Sequence, residues 1–178
     1  MNNLVVLNPG HGGSDPGAIG PNGAKEKDAN LMIAFCTKME LERRGFRVYM
    51  TRYQDEFISL QQTCTIANRE EADLFVSIHC NGAHASTAHG IETFHHPTSR
   101  KGIHYAKYVQ AAMIEHTRRR DRGVKHGNFK VLRDTKMPAV LVECGFITNP
   151  EEEKMLVSIP YQVLIGRAIA EGILQASK

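Results

Sequence analysis

LVVLNPGHGG, residues 4–13, is the stretch that decides the fold. Its apolar run from Leu4 to Leu7 predicts a buried β-strand, and the turn residues from Asn8 to Gly10 end that strand. His11 follows directly. A glycine-rich loop to Gly23 and an amphipathic helix over about residues 28–44 come next, which is the order expected at the start of a βαβ unit.

The same alternation of short β-branched runs and longer amphipathic segments continues to the C-terminus. Further strands are predicted at 46–51, 74–79, 91–95, 129–132 and 139–143. Helices are predicted at 59–71 with Ser59 as N-cap, at 103–119, from Pro150, and at 161–175. This pattern predicts an α/β fold with a largely parallel sheet, and no repeat or linker divides the chain.

Composition limits the possible classes of protein. The chain has 178 residues, 42% of them hydrophobic, which suits one domain over residues 1–178 without a separate binding module. The net charge of +3 is too small to indicate a nucleic-acid partner. A basic cluster near a predicted helix end is interpreted as a solvated helix face; it comprises Arg118, Arg119, Arg120 and Arg122.

Cysteine usage and hydropathy argue against a disulfide framework and against a membrane anchor. The four cysteines are widely spaced without a C-x-x-C pair, so free, mostly buried thiols are expected. The N-terminal segment has no basic start and no long apolar run, so no signal peptide and no membrane insertion are predicted.

Ionisable side chains follow three of the predicted strands. His11 lies just past the first, and His79 and Glu143 end two others. Because the carboxyl ends of parallel strands share one edge of the sheet, these three side chains are expected to converge there. Each alone has an ordinary explanation, as a hydrogen-bonded histidine or an ion-paired carboxylate.

Two imidazoles beside carboxylates suggest a zinc site. Glu26 ends the loop that begins at His11, so that loop can bring Glu26 to the same edge. His11, Glu26 and His79 would then bind one Zn²⁺ and leave a coordination position open for water, with Glu143 unligated as the acid and base. The other seven histidines are expected at the rim or surface, and a phosphate site at Gly10–Gly13 is a weaker alternative.

Five blocks of sequence resemble the amidase-3 type of zinc N-acetylmuramoyl-L-alanine amidase, in that family's order and over nearly the whole chain. They are VVLNPGHGGSDPGA (5–18), KEKD (25–28), ADLFVSIHCN (72–81), GIETF (90–94) and MPAVLVECGFITN (137–149). The resemblance implies a mainly parallel twisted sheet of about six strands with helices on both faces. It also implies that His11, Glu26 and His79 are the zinc ligands and that Glu143 is the catalytic glutamate.

Two residues depart from the pattern of the family. Asn8 stands where the family usually has Asp, although its amide oxygen could still accept a hydrogen bond. Thr63 stands where an Arg commonly follows the start of that helix. Neither is a predicted ligand, so they bear on local support more than on the reaction.

The sequence therefore predicts a zinc hydrolase that cuts peptidoglycan between the lactyl group of N-acetylmuramic acid and the L-alanine of the stem peptide. A zinc peptidase cutting within the stem peptide and a non-catalytic wall-binding module are the alternatives. A monomer acting on the bacterial cell wall is expected, either as an endolysin or autolysin released by lysis or a holin, or as a domain trimmed from a secreted enzyme.

Overall fold

The computed structural model describes residues 3–178 as a six-stranded sheet flanked by helices on both faces. Met1 and Asn2 lie outside the described residues. The strands are β1 Leu4–Pro9, β2 Arg47–Met50, β3 Leu74–Asn81, β4 Ile91–His95, β5 Asp121–His126 and β6 Ala139–Phe146. The helices are α1 Glu26–Arg43, α2 Leu60–Arg69, α3 Arg100–Thr117, α4 Lys130–Arg133, α5 Pro150–Leu156 and α6 Ile159–Ala176.

The sheet is mainly parallel, as predicted, with strand order β2-β1-β3-β6-β4-β5. β1, β2, β3 and β6 run in one direction, whereas β4 pairs with β6 antiparallel and β5 runs parallel to β4. In consequence, the carboxyl ends of β1, β3 and β6 lie at the same edge as the amino ends of β4 and β5. This shared edge is called the upper edge below.

The two faces of the sheet are covered unequally. On one face α1, α3 and α6 enclose the larger apolar core, in which Val5, Val76 and Val142 point from the sheet towards the helices. The other face carries the alternate strand positions, including Phe75 and Leu141, and only the short helices α2 and α4 cover it. The second face therefore leaves room for a cleft above the sheet.

Local signals set the position of α2, one of the two short helices. Ser59 is its N-cap, as predicted, and accepts a hydrogen bond from the Gln62 backbone N–H while the Gln62 side chain accepts one from Ser59 N–H. A capping pair of this kind stabilises a helix start by about 1 kcal/mol. It holds α2 beside the upper edge.

The strand predicted at 129–132 is wrong. Phe129 is the N-cap of α4, and Val131 and Leu132 are buried on that single helical turn. The actual strand is β5, just before it, which the apolar pattern did not indicate because β5 is a half-exposed edge strand with the sequence DRGVKH. Short apolar runs do not distinguish a strand from one helical turn.

Among residues 3–178, no single helix has both the length and the apolar content needed to cross a membrane, and only the bent pair α5 and α6, which meet at 80°, would meet that requirement together.

Candidate active site

Three of the residues singled out from the sequence come together at the upper edge. His11 lies in the loop after β1, Glu26 is the first residue of α1, and His79 lies in β3. Glu26 Oε2 is 3.2 Å from His11 Nε2, and Glu26 Oε1 is 3.0 Å from His79 Nδ1. One potential ligand atom from each residue lies within 4.8 Å of the other two. In the described part of the chain, this is the one group of three or more His, Cys, Asp or Glu side chains with such spacing.

Glu26 is the buried centre of this cluster. Its carboxylate also accepts hydrogen bonds from the backbone N–H groups of Ala18 and Cys80 and from the side-chain amide of Asn30. Burial favours the neutral acid, but the hydrogen bonds from His11 and His79 outweigh burial and hold the pKa of Glu26 well below its ordinary value. Glu26 is therefore an anion fixed in position before any ligand arrives.

His11 is oriented by a second carboxylate. Its Nδ1 lies 2.7 Å from Asp15 Oδ2, which directs Nε2 towards Glu26. The hydrogen bond to Glu26, helped by Asp15 and opposed by burial, raises the pKa of His11 to about 9. A carboxylate behind a histidine is the usual means of fixing the ring of a metal ligand. His11 also has a φ of 63°, a strained value of the kind found at functional sites.

Two glycines make the cluster sterically possible. A Cβ at Gly10 would lie 2.1 Å from Cε1 of His79, and a Cβ at Gly17 would lie 2.5 Å from Oε2 of Glu26. Gly17 in addition has a φ of 66°, which side chains disfavour. The glycine content of this loop therefore lets the backbone approach the cluster closely.

Glu143 lies directly beside this cluster, because β6 pairs with β3 in a register that places Glu143 opposite His79. Its Oε2 is buried and has no hydrogen-bond partner among the described residues. Burial, together with the negative charges of Glu26 and Glu92, raises the pKa of Glu143 well above its ordinary value. The carboxyl group can thus hold a proton in conditions where an ordinary glutamate would not.

Glu92 occupies the facing position on β4, opposite Glu143. It is 4% exposed and accepts hydrogen bonds from Asn81 at 2.8 Å, Arg122 at 2.7 Å and Lys125 at 2.5 Å. Burial opposes ionisation, but the hydrogen bonds from Lys125 and Arg122 dominate and lower its pKa. Sequence reasoning missed Glu92, although it lies within one of the five matching blocks.

A cavity of about 410 Å³ opens above these groups between α2 and α4. Its lining includes His11, His79 and Glu143, with Phe57, Leu60 and Phe129 as apolar walls. A larger cavity of about 710 Å³ lies around Asp73 and Lys101 and contains none of the three. The smaller cavity is the candidate active site, because it is the one that reaches the clustered ionisable groups.

Two buried cations stabilise the loop that carries His11, and no local sequence pattern predicts the role of either. Arg52, which is 1% exposed, donates to the backbone carbonyls of Pro9, Gly10 and Lys27. Lys27 donates to Gly13 O and to Asp55. Together they tie the end of β1, the loop and the start of α1 to the segment after β2.

Asn8 and Thr63, the two departures from the resemblance, both line this cavity. Asn8 is buried, donates to Ser77 Oγ at 2.8 Å and accepts from Thr51 Oγ1 at 2.8 Å. The amide therefore satisfies both of its polar atoms with neutral partners, and no charge is needed at this position.

The cysteines are free thiols within residues 3–178, in agreement with the prediction. Cys80 and Cys144 are completely buried in the larger core, on the face of the sheet away from His79 and Glu143. Burial raises both thiol pKa values well above the ordinary value, so neither is a thiolate at neutral pH.

Comparison with known proteins identifies relatives along the whole domain. Residues 5–175 match the N-acetylmuramoyl-L-alanine amidase family Amidase_3. The chain is 39% identical to the uncharacterised protein YqiI of Bacillus subtilis, covering 95% of this chain and 82% of YqiI. It is 38% identical to the N-acetylmuramoyl-L-alanine amidase LytC of Bacillus subtilis over 94% of this chain, but spans only 34% of LytC. The crystal structure of an N-acetylmuramoyl-L-alanine amidase from Clostridium difficile 630 superposes with a TM-score of 0.94 at 38% identity, covering 97% of this chain and 95% of that one.

Proposed function

The chain belongs to the N-acetylmuramoyl-L-alanine amidase family, and on that premise we propose that it is a zinc-dependent hydrolase of bacterial peptidoglycan. The bond cut is the amide between the lactyl group of N-acetylmuramic acid and the L-alanine of the stem peptide. The single observation that carries this proposal is the buried Glu143 carboxyl oxygen, which has no hydrogen-bond partner within residues 3–178 and lies beside the cluster of His11, Glu26 and His79.

The donor set of the cluster fits zinc. Two imidazole nitrogens and one carboxylate are the ligands of many catalytic zinc sites, which keep a further position open. Hydrogen bonds between Glu26 and the two histidines already hold the three side chains together, so little rearrangement is required for binding. His11, Glu26 and His79 would hold the ion. When bound, it would supply Lewis-acid polarisation of the scissile carbonyl and lower the pKa of water.

Glu143 moves the proton in this reaction. Its free oxygen accepts the proton of the attacking water and later delivers it to the departing amine nitrogen. Without that delivery the amide nitrogen would leave as a strongly basic anion. A carboxyl pKa raised by burial above its ordinary value suits a group that must both accept and donate a proton.

Asp15, Arg52 and Lys27 hold His11 and its loop in position relative to the other proposed ligands. Asp15 keeps His11 Nε2 directed at Glu26, while Arg52 and Lys27 prevent the loop from moving away from β3. All residues of the proposed site come from one chain, and we further propose that residues 1–178 act as one catalytic unit and as a monomer. Light scattering of the purified protein measures the oligomeric state.

Digestion of purified peptidoglycan by the zinc-loaded protein, followed by mass spectrometry, tests the proposed function. We expect free lactyl carboxyl groups on muramic acid and free L-alanine amino termini in equal amounts. New ends within the stem peptide would instead assign a peptidase activity. Binding to the wall without any product, by a protein shown to contain zinc, would contradict a hydrolase.

A further inference from the structure

Ionisable side chains follow one another across the sheet in the order of the strands. His11 at the end of β1 and His79 in β3 come first, followed by Glu143 in β6. Glu92 in β4 is next, and the last strand, β5, carries Arg122 and Lys125. The order across the sheet is therefore the proposed metal ligands, then the proposed proton carrier, then Glu92 and its two cations.

Arg122 and Lys125 together carry more positive charge than is needed to neutralise the Glu92 carboxylate. Both contact the same oxygen, Glu92 Oε2, so one carboxylate faces two positive charges. Another buried carboxylate, Glu152, is paired with a single cation, Arg119, and otherwise with backbone N–H groups. The cluster of Glu92, Arg122 and Lys125 thus has one positive charge left over.

That surplus charge is open to solvent. The side chains of Arg122 and Lys125 are 26% and 40% exposed, whereas that of Glu92 is 5% exposed. The guanidinium of Arg122 also lies 4.7 Å from the centre of the Phe146 ring, which limits its freedom. Glu92 and the Phe146 ring therefore hold the Arg122 guanidinium one strand beyond Glu143, which lines the cavity, and the exposed part of the cation pair can receive an anion.

We propose that Arg122 and Lys125 form a binding site for a carboxylate of the stem peptide on the leaving-group side of the scissile bond. The inference rests on the proposed function, because Glu143 must face the departing amine and the peptide continues beyond that nitrogen. The direction from the metal ligands past Glu143 leads to β5 and its two cations. The opposite direction leads to uncharged walls at Phe57 and Leu60, which suit the sugar.

Two soluble muramoyl peptides that differ only in one group test this site. In one, the second residue of the peptide carries a free carboxylate, and in the other the corresponding carboxamide. We expect the wild-type protein with zinc to hydrolyse the acid with a kcat/KM about five- to tenfold higher, mainly through KM, since partly exposed charge pairs contribute modestly. Raising the ionic strength should reduce this preference.

The variants Arg122→Gln and Lys125→Gln should each lose most of the preference, with the larger fall in kcat/KM on the acid, and a far-UV circular dichroism spectrum like that of the wild type shows that they are folded. Lys101→Gln and Lys136→Gln remove the same charge from exposed positions around other cavities and serve as matched controls that keep the preference. A wild-type protein without preference, or variants that lose activity equally on both peptides, would overturn the carboxylate site alone. Hydrolysis of neither peptide by the wild type would overturn the proposed function and the site with it.

Discussion

Glu143 and Glu92 face each other on neighbouring strands, yet their carboxyl groups are held in opposite states. Glu92 has three side-chain donors, two of them cationic, and its pKa is lowered. Glu143 has a buried oxygen with no partner in the described part of the chain, and its pKa is raised. The pair shows that hydrogen-bond donors, rather than position in the sheet, decide whether the pKa of a buried carboxyl group is lowered or raised.

The largest expected effect is the difference in kcat between the variants Glu143→Gln and Glu92→Gln. Glu143→Gln should lower kcat by about 10²- to 10⁴-fold, because the water and the leaving amine lose their proton carrier. Glu92→Gln should change kcat only a few-fold. Turnover of purified peptidoglycan and zinc content by elemental analysis are the measurements. Equal losses of kcat in the two variants, or loss of zinc from Glu143→Gln, would contradict the different roles proposed for the two glutamates.

Asp15 extends the comparison to a paired carboxylate that supports a proposed metal ligand. Asp15→Asn should weaken zinc affinity by about 10- to 100-fold, since His11 loses the group that orients it and increases its basicity. Competition with a chromophoric chelator measures this affinity. Asp55→Asn, which weakens an ion pair with Lys27 in the same region, is the control and should retain most of the affinity. A smaller effect for Asp15→Asn than for this control would show that His11 is held by other contacts.

The same two glutamates should affect stability with opposite signs. Glu92→Gln leaves Arg122 and Lys125 without their carboxylate and should lower the free energy of unfolding by roughly 1–2 kcal/mol, a modest amount because both cations are partly exposed. Glu143→Gln should raise it, because burial and the charges of Glu26 and Glu92 disfavour the ionised carboxyl group of Glu143, and the glutamine amide does not ionise. Urea unfolding of the metal-free proteins at neutral pH measures both. Destabilisation by both variants would contradict the assigned states.

The smallest expected effect is the change with pH in the stability of each variant relative to the wild type. Because Glu143 has a raised folded-state pKa, its ionisation lowers stability as the pH rises above about 4.5. The stability of Glu143→Gln relative to the wild type should therefore increase above that pH. Glu92 has a lowered folded-state pKa, so its contribution is complete above about 4.5 and is lost as the pH falls below that value. Differences in Tm between each variant and the wild type, measured with a chelator present, report these trends. Differences that do not vary with pH would remove the electrostatic explanation.

Much of the framework was predictable because it depends on local patterns. Apolar runs followed by turn residues located β1, β3 and β6, and the parallel arrangement then placed His11, His79 and Glu143 at one edge. Glu26 could be added because the loop after β1 has to end near where it began. In these cases, the position of a residue along the chain and the direction of the neighbouring strand were sufficient to predict that its side chain lies at this edge.

The remaining parts of the site depend on pairings between distant segments that no local pattern encodes. The sequence pattern around Arg119 and Arg122 predicts a solvated helix face, whereas Arg122 binds Glu92 and Arg119 binds Glu152. β5 itself has little apolar content, so it was not recognised as a strand. Arg52 is buried only because three backbone carbonyls from elsewhere in the chain surround it, which its own neighbours in sequence do not reveal.

Gly10 has a consequence for how this enzyme can change by mutation. A single methyl group there would overlap the imidazole of His79, although Gly10 itself offers no functional group to the chemistry. A screen for loss of function would therefore rank this glycine with the histidines and the glutamates. In such a loop, whether a substitution is tolerated depends on the space that neighbouring rings occupy. A glycine can be irreplaceable solely because any side chain there would overlap one of those rings.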